Sequence, residues 1–465
     1  MFELVIQGGA VVTPDGVEQR DLAIADGVIQ EMPVAGEPLA GRTVIDAGGK
    51  YILPGLVDAH VHIPGYMLST RLDDFHSASI AAAVGGVTTV MLMPTDDPRT
   101  ITPAYFERKQ RIGERDSFVD FAIQALIGPG TERCDIEAMA GQGAISFELF
   151  LAYGGNPGFI IGHDDYELHR LMQIVAEVGG IVGVTPHSAS LIARLTQVQK
   201  QIEATRHYRE ILEKEMAPPK VQMFATTRPT LSEALGIVRA CTVAAETQTR
   251  IHLRALSSQR SIDIVERFRD LAPLSSEVMS HHLLFCEEEA HELGPYGIIV
   301  PPIRSKPERD ALRQAVRTGG IDMVVSDHSP VLREDKELGW ASIWQTPPGM
   351  PGLQTLLPSM LALVDDGHLS LSDVVRACAE QPARAFGLYP RKGCLLPGSD
   401  ADLVILDPSR PMLIDDSAQR SKAQYTTLKG RLLTSRIEKV FLRGRLIVDE
   451  EIVLSGPSGK FVRAA

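Results

Sequence analysis

The stretch "LPGLVDAHVHIPG", Leu53 to Gly65, decides how the chain is read. It is an apolar run that ends in two histidines one residue apart. A strand alternates its side chains between two faces, so His60 and His62 share a face. Two imidazoles on one face at a strand's end are a start for a divalent-metal site. Two polar residues closing a barrel strand would give the same letters. The rest of the chain must therefore supply further ligands, a base and a pocket.

Outward from this stretch, apolar β-branched runs alternate with amphipathic helical segments from Gly55 to about Leu396. The predicted strands are 55–62, 87–94, 120–128, 145–153, 180–187, 250–256, 277–285 and 322–329. Helical patterns fall between them, at Asp73–Val84, Asp165–Val178, Thr230–Thr247, Ser261–Leu271 and Lys306–Thr318 among others. Eight such units predict parallel strands with helical crossovers, and eight is the number that closes a (β/α)8 TIM barrel in the α/β class. An open doubly wound sheet would call for a glycine-rich phosphate loop after the first strand, where His60 and His62 stand instead.

Both ends of the chain read differently. Residues 2–53 are short apolar strands broken by "PDG" and "ADG", and the same texture returns at 400–407 and 436–453. The expectation is a small β-sandwich domain built from both termini, 1–53 plus 397–465, on a barrel of 54–396. Two segments exceed what a simple barrel needs. Leu191–Met216 is charged and helical in pattern, a solvated or interface helix. Gly339–Leu357 is rich in Pro and Gly and follows the last barrel strand, so it is expected at the pocket rim.

The chain has 465 residues, 59 acidic against 46 basic, a formal net charge of −13. This balance argues against nucleic acid or an anionic membrane surface as the main partner. Five scattered cysteines without C-x-x-C spacing fit a reducing compartment and offer no thiolate metal site. No basic segment followed by a long apolar run opens the chain, and no run reaches the ~20 residues of a membrane helix. A cytoplasmic protein is expected.

Chemistry in such barrels sits at the C-terminal ends of strands. Those ends carry His60 and His62; Glu148, with Tyr153 beyond; Thr185 and His187; His252, Arg254 and Ser257; His281 and His282; and Asp327 with His328. Asp327 closes the apolar run "MVVSD", and a buried strand rarely ends in a carboxylate without a partner. Its plainer duty would be to cap the turn "SDHSP".

The motifs "DAHVH", "GGVTTV" and "SDHSP" resemble the amidohydrolase superfamily. "SFELFLAY", "TTRPTLSEALGIVRA", "PPIRSK" and "GCLLPGSDADLVILDP" narrow the resemblance to its cyclic-amide branch of hydantoinases, dihydropyrimidinases, allantoinases and dihydroorotases. It covers nearly the whole chain and implies the same barrel and sandwich. It also implies a two-ion centre. Two histidines of strand one, one each of strands five and six, the strand-eight aspartate and a carboxylated lysine of strand four hold the ions. A bridging hydroxide attacks the ring carbonyl, and the aspartate carries its proton to the leaving nitrogen.

His60, His62 and Asp327 match this pattern, while three positions depart from it. Glu148 stands at the lysine, Thr185 at the strand-five histidine and Ala255 at the strand-six histidine. A glutamate carboxyl lies three bonds closer to Cα than a lysine carbamate, roughly 3–4 Å less reach. The expectation is a one-ion centre of His60, His62, Asp327 and Glu148, suited to Zn²⁺ first and Mn²⁺ second. Glu148 would meet the ion at a deeper position or through a water, or only hydrogen-bond nearby. Tyr153 is expected, from the resemblance, to donate to the developing oxyanion. His187 is expected at the substrate as a proton carrier or third nitrogen ligand, with a turn histidine as its plain alternative. His281 and His282 read as structural, and Val300 replaces an asparagine near the substrate.

The function this implies is metal-dependent hydrolysis of a C–N bond in a cyclic amide, imide or ureide by a homotetramer or homodimer. The alternatives are a non-catalytic dihydropyrimidinase-related barrel that binds or supports, and a hydrolase of an acyclic amide or lactone.

Overall fold

The structure, a computed structural model, describes residues 1–65, 71–152, 157–213, 221–454 and 456–464. Eight parallel strands form the barrel. Strand one is Leu56–Val61, strand two Val87–Leu92 and strand three Asp120–Ile123, continued by Ala125–Leu126. Strand four is Phe147–Phe150, strand five Ile181–Thr185, strand six Arg250–Leu253, strand seven Leu274–Met279 and strand eight Met323–Val325. Strands one to three make one ladder, and the continuation of strand three leads through to strand eight in the other. The ladders meet at Gln124, whose N–H donates to the Leu92 carbonyl at 3.1 Å. The ring closes where the His62 N–H donates to the His328 carbonyl at 2.8 Å.

The helices begin and end where local chemistry allows. Helix Phe75–Val84 starts at Asp74, whose carboxylate accepts the Ser77 N–H while Ser77 Oγ accepts the Asp74 N–H. Helices Asp165–Glu177, Thr230–Thr247 and Lys306–Thr318 lie where the apolar spacing predicts them. Phe75, Phe106, Phe121, Leu171, Ile237 and Leu312 fill the layer between strands and helices and are buried.

One element differs. Strand seven ends at Met279, and Ser280–Leu284 turns into a short helix, so His281 and His282 leave the barrel wall. The open carbonyls at that helix's end are met by arginines: Arg313 Nε donates to Leu283 at 2.6 Å and Arg309 Nη1 to Leu284 at 3.5 Å.

The segment expected to be a solvated or interface helix is Ala189–Glu213. It rests on the loop after strand eight: the Trp344 indole N–H donates to Glu203, and Lys200 Nζ lies 5.7 Å from the Trp344 ring centre. Short helical turns at Leu338–Trp340 and Ile343–Gln345 shape that loop.

Strands from both chain ends join one nine-stranded sheet. Tyr51–Pro54 sits between Phe2–Thr13, in parallel, and Leu403–Asp407, antiparallel, which brings the ends together. The division of the chain is less simple than 397–465 on one side. Ile414, Leu428 and Leu433 pack into the barrel's core, and Ser421 Oγ and the Lys422 N–H donate to Asp73 at 2.5 and 2.8 Å. The chain's last residues run along strand three, with the Phe121 N–H donating to Lys460 and the Val462 N–H to Phe121. The first segment is held by apolar burial and by the Asp73 carboxylate, the second by backbone pairing with strand three.

Candidate metal centre

Strand one delivers His60 at its second-last position, and His62 follows two residues on, at the start of the next loop. Asp58, earlier on the same strand, accepts the His60 N–H at 3.3 Å and the Ser326 N–H at 3.2 Å, which fixes strand one against strand eight. Burial pushes the Asp58 carboxyl up to about 6. Beyond strand eight, Asp327 takes φ 42°, in the left-handed region that non-glycine residues rarely enter. Its neighbours hold it there. The His328 N–H donates to Ser326 Oγ at 3.0 Å, and the His328 ring bonds Asp73 through Nε2 at 3.1 Å.

These constraints bring three ligand atoms together. Asp327 Oδ1 lies 3.2 Å from His60 Nε2 and 3.4 Å from His62 Nε2. His60, His62 and Asp327 each offer one atom, all within 4.8 Å of one another. The far ring nitrogens are committed elsewhere. His60 Nδ1 meets Glu277 Oε1 of strand seven at 2.5 Å, and His62 Nδ1 meets Thr95 Oγ1 at 3.0 Å. A ligating histidine is oriented in this way, its outer nitrogen held by an acid or hydroxyl so that the inner one is free for the metal. The loop carrying His62 is pinned as well, since the Ile63 N–H donates to Asp96, itself paired with the buried Lys109 at 2.7 Å.

Burial lowers the tendency of His60 to hold a proton, but Glu277 and Asp327 more than offset it and raise its pKa. Burial pushes the Asp327 carboxyl up, and His60 and His62 outweigh that and hold it below the usual range. Both directions describe a ready cation site in which protons compete with a metal. His60 is buried while His62 and Asp327 are 20% and 13% exposed at the side chain, so the triad opens toward solvent on one side. Two imidazole nitrogens and a carboxylate oxygen suit Zn²⁺ or Mn²⁺, and three protein ligands leave an open position.

A sequence profile of the Amidohydrolase family matches residues 51–447. The chain belongs to the amidohydrolase family. It is 33% identical to an L-hydantoinase of Paenarthrobacter aurescens, across 99% of this chain and 98% of that one. It is 32% identical to an allantoinase of Rubrobacter xylanophilus, across 99% and 98%, and to a dihydroorotase of Methanothermobacter thermautotrophicus, across 100% and 98%. Among solved structures, the L-hydantoinase (dihydropyrimidinase) from Arthrobacter aurescens superposes with a TM-score of 0.92 at 32% identity, covering 100% of both chains. The (β/α)8 barrel is thus the shared scaffold.

In this amidohydrolase Glu148 does not join the triad. It lies beneath it, bound by Arg254, the residue after strand six: Nε donates to Oε2 at 3.0 Å and Nη2 to Oε1 at 2.8 Å. Ser146 Oγ donates to the same Oε1 at 2.8 Å. The short side chain spends its oxygens on a guanidinium and a hydroxyl, which corrects the expectation that it ligates the ion. Thr185 ends strand five, and Ala255 follows strand six with φ 54°, so neither brings an imidazole to the centre.

His187 is buried just beyond the C-terminal end of strand five. Burial, with the positive charges of Arg304 and Arg228, holds its pKa well below the usual value, so it is a neutral ring outside the ligand cluster. His252 is also interior, between Ser275 Oγ at 2.8 Å and Glu277 Oε2 at 2.9 Å. Burial likewise lowers the pKa of His281, to about 4. Tyr153 lies outside the described residues.

The strand ends do not disclose Glu277 and Thr95, which hold the outer nitrogens of His60 and His62. Glu277 lies inside strand seven and not at its end. A carboxylate leading into the apolar run "EVMSHHLLF" is its signal in the sequence. Thr95, after "MLMP", carries no such mark. A second group of acids, Asp120, Asp400 and Asp402, already surrounds a cation: Lys392 Nζ lies 2.9 Å from Asp400, 2.6 Å from Asp402 and 2.5 Å from Asp120.

Proposed function

We propose that this amidohydrolase opens a C–N bond of a cyclic amide, imide or ureide at a centre holding one divalent ion, Zn²⁺ first and Mn²⁺ second. The observation that carries this is the orientation of the triad: His60 and His62 both turn Nε2 toward Asp327, with Nδ1 committed to Glu277 and Thr95. Hydantoinases, allantoinases and a dihydroorotase among the relatives support the cyclic C–N substrate class.

His60, His62 and Asp327 would hold the ion. When bound, it supplies Lewis acidity for a carbonyl and lowers the pKa of water toward 7, to about that value. Asp327, partly exposed and held as the carboxylate, accepts the proton of the attacking water and returns it to the leaving ring nitrogen. Tyr153 is assigned the donation to the developing oxyanion, and His187 a place at the substrate, buried and neutral as it is.

Met93, Leu126 and Phe150 follow or end strands two, three and four, and they cluster with Ile101 and Phe159. An apolar wall there favours a ring with a hydrocarbon substituent over one bearing a second charge. Self-association belongs to the same reading, as a homotetramer or homodimer. Leu231, Leu235 and Val238 recur at helical spacing on Thr230–Thr247 and are 45, 50 and 42% exposed. A cytoplasmic setting accords with five free cysteines. Among the described residues no helix is long and apolar enough to cross a membrane.

The test is a panel of five- and six-membered rings: substituted hydantoins, allantoin, dihydropyrimidines and dihydroorotate. Ring opening is followed in protein reloaded with Zn²⁺ or Mn²⁺, beside Asp327→Ala and Tyr153→Phe. Turnover of at least one ring that vanishes in Asp327→Ala supports the reading. No turnover of any ring, with acyclic amides or lactones hydrolysed instead, replaces it.

A further inference from the structure

Beneath the triad lies a buried charge cluster. Arg254 is fully buried, and its five N–H groups are all spent. Nε donates to Glu148 Oε2 at 3.0 Å and Nη2 to Glu148 Oε1 at 2.8 Å. Nη2 also donates to Gln124 Oε1. Nη1 donates to Glu277 Oε2 at 2.9 Å and to the carbonyl of Ala59, the residue before His60, at 3.0 Å. Glu277 in turn holds His60 Nδ1 with its other oxygen. One guanidinium therefore joins strands one, three, four and seven and reaches the metal histidine through a single carboxylate. Strand five is cut to fit: a Cβ on Gly183 would stand 2.1 Å from both Glu148 oxygens.

We propose that Arg254 is a positioning residue that serves as the fixed inner cation of this centre. It bridges two interior carboxylates, as a second divalent ion would, and so restricts the centre to one ion. This rests on the reading that His60, His62 and Asp327 hold a divalent ion. Two carboxylates against one guanidinium leave the floor with one excess negative charge. A buried charge is not left unpaired, so whatever removes the guanidinium invites another cation between Glu148 and Glu277.

The test is Mn²⁺ binding to the purified full chain, measured as stoichiometry and Kd, with circular dichroism to check folding. The wild type is expected to bind one equivalent. Arg254→Met is expected to bind two, and Arg254→Lys, which keeps the charge, one. The extra equivalent is expected to disappear in Arg254→Met/Glu148→Gln. Glu148→Gln alone cancels the excess negative charge without changing shape, and its Kd for the single ion should rise by about tenfold or more.

A folded Arg254→Met that binds one equivalent overturns the inference, as does a Glu148→Gln Kd equal to that of the wild type. If Arg254→Met does not fold, the Glu148→Gln affinity decides alone. A wild type that binds no Mn²⁺ overturns the underlying metal reading and this inference with it. One ion on the wild type with unaltered variants overturns this inference only.

Discussion

Lys336 shows how a single side chain can be held against its own charge. It is buried after strand eight, and its Nζ donates to the carbonyls of Ile298 and Pro347, each at 3.0 Å. Burial pushes its ammonium down to about 7. In the unfolded chain a lysine keeps its proton to about 10.4. Between those values the unfolded state binds more protons than the folded one, so stability rises with pH across that window. Below it both states are protonated and the full cost of burying the charge is present. Lys336→Met should remove this slope. Denaturation midpoints from pH 6 to 10 should show the wild type gaining on the variant as pH rises. A constant gap would mean that Lys336 is not depressed in the fold. The triad shows what a sequence can and cannot disclose at this scale. His60, His62 and Asp327 each end an apolar run with a polar residue, and that contrast is visible in the letters. Glu148 is visible at strand four's end as well, but its partner depends on how far Arg254 reaches across the barrel, a distance set only by the closed ring.

At the scale of elements, strand five is decided by a missing side chain. Gly183 faces Glu148 so closely that any Cβ collides with the carboxylate. Overpacking of this kind costs about 1–3 kcal/mol, and here it also displaces a charged group from its fork. Gly183→Ala should therefore lower the thermal midpoint and weaken metal retention together. A variant with an unchanged midpoint would show that Glu148 has another resting place. The strand-and-helix alternation itself was legible, because parallel strands covered by helices must be apolar throughout and their helices apolar on one face. Strand seven is shorter than its apolar run predicts, for a physical reason. "EVMSHHLLF" is as apolar as a strand, but Arg309 and Arg313, distant in sequence, supply the caps that let Ser280–Leu284 coil.

For the whole molecule, the junction of barrel and sheet is a buried ion cluster. Lys392 is surrounded by Asp120 of barrel strand three and by Asp400 and Asp402 before the terminal strands, and Arg443 joins Asp120 from the sheet. The three acids hold the Lys392 ammonium well above its usual range, against burial that works to lower it. Lys392→Met would leave the buried Asp402 and the half-buried Asp400 without their cation, while Asp120 keeps Arg443, at a cost of about 3–5 kcal/mol. The loss should be larger at pH 8 than at pH 5, since protonation relieves the carboxylates. Equal midpoints for wild type and variant at pH 8 would show that the cluster does not hold the junction together. The return of the terminus to the first strands was readable from matching hairpin texture at both ends. The excursion of 409–435 onto the barrel and the pairing of the last residues with strand three were not. They depend on surfaces that exist only once the barrel has closed.

Whether His60, His62 and Asp327 hold one catalytic ion is decided by stripping the protein with a chelator and titrating Zn²⁺ or Mn²⁺ back while following ring opening of a cyclic amide. Activity is predicted to be lost on stripping, to return in proportion to added metal, and to level off at one equivalent per chain. Activity that survives complete removal of metal, or that levels off only at two equivalents, would contradict a one-ion centre.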